Sequence, residues 1–296
     1  MESRNPALND KVFQREMGAN PSGAFTPGWG SPADELPPGM FDQRGGAPGA
    51  PTTPGGPIVT APDTMRMGGT MSATAILFGI VLVAAWFGWQ AVDAQVVGVQ
   101  PDGSEIVDVS MPPWLFVSWI GGFVLAIVTV FKPKIARITG PLYAAAMGLL
   151  MGAISAAFEI QYDGIVLQAI SLTVAVFAIM LVLYSTRTIK VTDRLRTTVM
   201  VATGAIALVY LVSIVLSFFG TTVPMIHDAG PVGILFSLVV VGIASFNLLL
   251  DFDFIERGVA AGAPRYMEWY GAFGLMVTLI WLYLEILRLL AKLRER

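Results

Sequence analysis

Acidic side chains stand in this chain where a lipid-facing helix carries none. Asp251 and Asp253 follow a 20-residue stretch without charge, Pro231 to Leu250. Glu285 lies inside the run Leu279-Ile-Trp-Leu-Tyr-Leu-Glu285-Ile-Leu-Arg288-Leu-Leu. A carboxylate at mid-bilayer costs about 2.5–3.5 kcal/mol on insertion scales, so it is protonated, paired or turned toward a wet cavity, and by default it marks a functional site. Two such groups meeting in low dielectric cannot both ionise freely; they share one proton and titrate as a pair. Protonated, the pair closes a path by hydrogen bonding; ionised, it binds a cation. Calcium suits the ionised form because it takes several oxygen ligands. The expected chemistry is therefore pH-sensitive passage of a cation, with Asp251 and Glu285 as ion pathway, pH sensor and calcium-contacting groups.

Other charges bear on that pair. Asp253 and Glu256 are expected at the membrane interface, with Glu256 solvated or paired with Arg257. Arg288 lies at i+3 from Glu285, on the same helical face, and can pair with it. Asp251 and Glu285 are 34 positions apart. They meet only if the connection between their helices occupies roughly residues 259–272, with Gly271 and Gly274 allowing an irregular start; in a symmetric hairpin Asp251 faces about Glu268 instead.

Composition excludes most alternatives. The chain has no cysteine and one histidine, His227, among 296 residues. Thiolate and multi-histidine metal sites are thereby excluded, and no resident cofactor or enzyme activity is expected. His227, beside Asp228, reads as plain surface. A net charge of −3 gives no basic signature for nucleic acid.

The elements that must carry the acids are membrane helices. Hydrophobic residues make up 55% of the chain and charged ones only 13%, against about 25% charged in soluble domains. Seven apolar stretches approach or exceed the ~20 residues needed to cross a bilayer core: roughly 72–92, 114–131, 140–158, 165–186, 198–219, 231–255 and 268–291. Loops 132–139, 187–197 and 256–267 together carry nine Lys and Arg, whereas loops 93–113, 159–164 and 220–230 carry none. This asymmetry places the basic loops and the N-terminal segment in the cytoplasm and, after seven spans, the C-terminus outside the cell membrane. Arg288, Lys292, Arg294 and Arg296 oppose that orientation, so the last stretch either spans against its own charge or is tilted or re-entrant. We expect it to span.

Residues 1–70 hold 11 Pro and 12 Gly and read as a disordered cytoplasmic tail ahead of a 71–296 membrane domain. Met1-Glu-Ser-Arg-Asn-Pro lacks an apolar core, so the first apolar run is expected to span rather than to be cleaved. Pro101-Asp-Gly103 between β-branched runs predicts a small hairpin on the non-basic side. Ala144, Gly148, Gly152 and Ala156 recur every four residues and predict a helix-packing stripe.

These features resemble the Bax inhibitor/YccA family, the transmembrane Bax inhibitor motif group. Leu250-Asp251-Phe-Asp253 is loosely similar to the sixth-helix Tyr/Phe-Asp-Thr-Gln of that family. Leu282-Tyr-Leu-Glu285-Ile-Leu-Arg288-Leu-Leu is closer to the seventh-helix Leu-Tyr-Leu-Asp-Ile-Ile-Asn-Leu-Phe. Asn5-Pro-Ala-Leu and the Pro/Gly tail resemble an actinobacterial branch. The resemblance implies an all-α bundle of seven transmembrane helices with the last one central. It also implies a pH-sensitive calcium leak gated at Asp251 and Glu285, and interaction of the tail with a membrane-bound ATP-dependent protease. A non-conducting regulator that binds such a complex through its tail is the alternative. Three departures stand out. Leu150-Met151-Gly152 replaces a third-helix Glu, no Arg lies within 114–131, and Arg288 replaces Asn.

Overall fold

The computed structural model describes residues 63–99, 105–220 and 229–295. The rest of the tail with its Asn5-Pro-Ala-Leu motif, the Pro101-Asp-Gly103 turn and His227 lie outside the described residues. Seven helices are long and apolar enough to cross a membrane. They are α1 (Met67–Gln90), α2 (Trp114–Phe131), α3 (Ala136–Gln161), α4 (Ile165–Ser185), α5 (Asp193–Phe218), α6 (Pro231–Ala260) and α7 (Met267–Arg294). An antiparallel ribbon, β1 (Asp93–Val99) with β2 (Glu105–Ser110), follows α1, with Asp93 opposite Ser110 and a register shift between Val96 and Gly98.

The helix α5 begins ahead of its apolar stretch because a polar side chain caps it. Thr192 caps α5, its hydroxyl accepting the Leu195 amide at 3.2 Å, and Asp193 complements the helix dipole in the first turn. The segment 63–70, expected within the disordered tail, is ordered. Met65 N–H donates to Ala263 O at 2.6 Å, Thr64 bridges Pro264, and α1 begins at Met67.

The last helix is central, as expected. It packs against α1, α3, α4 and α6 and contributes to two apolar cores. Leu275, Leu282 and Ile286 join Leu248, Leu249 and Phe252 of α6, while Met276 and Ile280 join Leu77, Val81 and Ala144 of α1 and α3. In lipid there is no hydrophobic drive between helices, so close backbone approach does the work. The small-residue stripe of α3 supplies it: a β-carbon on Gly152 would lie 1.9 Å from Ala85 O, and one on Gly148 2.6 Å from Val81 O. Gly152→Leu should therefore push α1 from α3 and destabilise the bundle by about 1–3 kcal/mol, or more if the backbones cannot part. Thermal unfolding of the purified protein in detergent measures the loss.

The helix α7 also spans rather than re-entering. Its first turn lies beside residues 63–66. At its other end Arg294 donates to Asp163 O at 2.6 Å and Lys292 donates to Gly233 O at 3.1 Å. Lys292 and Arg294 thus lie at the end of the bundle opposite the basic loops, each engaged by a local acceptor. Tyr162 ties Glu295 there at 2.6 Å. Partial burial and that hydrogen bond push its phenol up to about 12, so it remains a donor at any physiological pH.

Candidate functional site

The helices α6 and α7 form an antiparallel hairpin whose connection, Ala261 to Tyr266, is short. Its register can be read at three levels. A β-carbon on Gly271 would lie 3.1 Å from Ile255, one on Gly274 would lie 3.7 Å from Asp251 Oδ1, and Lys292 reaches Gly233. Thr278, one turn further along α7, faces the Asp251 carboxylate. Its other oxygen, Oδ2, is buried and has no hydrogen-bond partner among the described residues. At 3.7 Å a β-carbon on Gly274 would make only ordinary van der Waals contact with the carboxylate, so the glycine marks the level of Asp251.

Glu285 is 1% exposed and is held from two sides. The Tyr210 hydroxyl of α5 donates to its Oε1 at 2.8 Å, and Arg288 donates to the same oxygen at 2.8 Å. Arg288 also donates to the Tyr210 hydroxyl at 2.7 Å and stacks over the Tyr210 ring, 5.2 Å from its centroid. Glu285 Oε2 is the second buried carboxylate oxygen without a partner among the described residues.

The two acids do not meet. Gly274, the neighbour of Asp251, and Glu285 are eleven positions apart on one helix, about 16 Å at 1.5 Å per residue. Measured from Thr278 the offset is still about 10 Å. The expected shared-proton pair is therefore replaced by two carboxylates at different depths, each with its own partners. The physical reason is the hairpin: its turn is six residues long, not the longer irregular connection that would have slid Glu285 down to Asp251. Between the two levels Asn247 of α6 donates to Thr203 of α5 at 2.8 Å.

The supporting residues take separate roles. Asp253 is paired with Arg196 at 2.8 Å and with Arg257 at 2.7 Å. Glu256 pairs with Arg187 and Tyr184 rather than with Arg257. Burdened by that contact, the exposed Arg187 guanidinium is held above its ordinary range, mainly by the Glu256 hydrogen bond. Glu268 does not face Asp251. It is 6% exposed, accepts the Arg66 N–H at 2.9 Å and lies over Gly69, where it satisfies the start of α1. Glu268→Gln should cost about 0.3–1 kcal/mol through the lost charge at that helix start, a change readable as a small drop in melting temperature.

Sequence reasoning missed Tyr210 and Thr278. No signal in the sequence marks them, because a tyrosine and a threonine inside apolar helices are unremarkable until the register is known. It also missed Lys292 as a buried group, 3% exposed, donating to Gly233 O and Ser237 Oγ. No cluster of three or more His, Asp or Glu side chains able to hold a metal ion occurs among the described residues.

A seven-helix membrane bundle with acids buried on its last two helices defines the class. The family model described as Bax inhibitor 1 like matches residues 5–295, and the chain belongs to that family. No curated protein and no solved structure matches it.

Proposed function

We propose that this protein is a passive, pH-sensitive leak for small cations, calcium among them, in the cell membrane. Asp251 and Glu285 serve as successive stations at different depths of the α6–α7 hairpin rather than as one gate. The observation that carries the reading is the pair of buried carboxylate oxygens, Asp251 Oδ2 and Glu285 Oε2, each without a partner among the described residues. A buried acceptor left open is unfavourable by about 1–3 kcal/mol or more for a charged group, and a transient cation or water chain would satisfy it. Membership in the family supports ion passage, and the positive-inside asymmetry supports basic loops facing the cytoplasm.

The direction of the pH response follows from charge. A station that holds a proton no longer attracts a cation, so calcium flux should fall as the medium is acidified. Full-length protein in liposomes with a trapped calcium indicator should show flux at neutral pH that declines in acid. Flux absent at every pH, or equal to that of empty vesicles, overturns the proposal.

A further inference from the structure

A second site lies at the end of the bundle that carries the basic loops. A cavity of about 700 Å³ opens there between the start of α1, the α2–α3 connection and the first turn of α7. Its charged lining is Lys134, Arg137, Arg265, Asp63 and Glu268. The two acids are already answered. Asp63 pairs with Arg265 at 3.2 Å, and Glu268 is engaged by the Arg66 amide at 2.9 Å and approached by Arg265 at 3.8 Å. Lys134 and Arg137 are exposed and make no ion pair among the described residues. The cavity therefore presents two unanswered positive charges.

Apart from Ser72 and Tyr266, the remaining wall is apolar. Ala73, Ile76 and Trp269 line it, and Ile76, half exposed, is on α1 one turn deeper than Ser72. A cationic rim above an apolar wall on a membrane helix matches a phosphate joined to acyl chains. A soluble anion would use the rim and leave the wall idle. The volume is within the range of small-molecule sites, and basic pockets between transmembrane helices are suited to phospholipid head groups. We propose that this cavity binds one anionic phospholipid, its phosphate between Lys134 and Arg137 and its chains descending along Ile76.

The test uses native mass spectrometry of the full-length protein in detergent, titrated with phosphatidylglycerol. Wild type should retain one tightly bound lipid. Lys134→Gln with Arg137→Gln should weaken that binding roughly thirtyfold, at about 1 kcal/mol for each charge near the surface. Lys190→Gln with Arg194→Gln, which removes equal charge from the next basic loop, should leave it unchanged. The charge-conserving Lys134→Arg with Arg137→Lys should retain it within a few-fold. Equal losses in the two glutamine pairs would reduce the effect to general attraction and overturn the site. Loss in the charge-conserving variant would trace the effect to folding and also overturn it. Equal binding of phosphatidylcholine, or displacement by millimolar inorganic phosphate, would overturn the assignment to an anionic lipid. Calcium flux takes no part in these readouts, so the site stands or falls apart from the leak.

Discussion

Arg288→Met should destabilise the protein by about 3 kcal/mol, and Glu285→Gln on top of it should restore most of the loss. Removing one member of a buried ion pair strands the other and costs about 3–5 kcal/mol; replacing both is often neutral or better. The lower end applies because the Arg288 side chain is 36% exposed whereas that of Glu285 is 2% exposed. Tyr210 cannot fill the gap: its hydroxyl supplies a single hydrogen bond to Oε1 and no charge. The measurement is a double-mutant cycle by thermal or denaturant unfolding in detergent. An Arg288→Met protein as stable as wild type would mean that Glu285 finds another partner or is neutral, and the description of Arg288 as its counter-cation would fail.

Calcium flux should respond to the two acids separately. Asp251→Asn and Glu285→Gln should each lower flux by about tenfold or more, since each removes one station worth at least ~1.4 kcal/mol to a passing cation. The double variant should lose roughly the product of the two effects, because sites about 10 Å apart with no shared partner behave nearly additively. A single proton-sharing pair behaves otherwise: removing either acid destroys the unit, and the second substitution adds little. Liposome flux for the four proteins at one pH distinguishes the two. Single variants indistinguishable from wild type would remove the acids from the pathway altogether.

Hydropathy and loop charge carried most of the architecture. The seven spans rest on long runs of apolar residues, and α2 matches its expected stretch, 114–131, residue for residue. The packing role of Gly148 and Gly152 was equally legible, because a four-residue repeat of small side chains has one physical use in lipid. The depth of each acid was not legible. Depth depends on hairpin register, and register here is set by the close approach of Ile255 to Gly271 and by the short connection from Ala261 to Tyr266. Composition is the same in either register, so a separation of 34 positions could not decide it. Glu268 was misplaced for the same reason: its partner is the Arg66 amide, 202 positions away in sequence. Lys292 misled by its type. A lysine near a helix end predicts an interface, yet the start of α6 offers it a carbonyl and a hydroxyl inside the protein.

The independence of the two carboxylates is open to direct observation by infrared spectroscopy, which resolves the carboxyl stretch of buried acids through a pH titration. Substituting Glu285→Gln should delete one titrating band and leave the midpoint of the Asp251 band where it was, and Asp251→Asn should do the converse. A midpoint displaced by roughly one unit or more in either variant would show coupled titration and would contradict two stations held apart on α7.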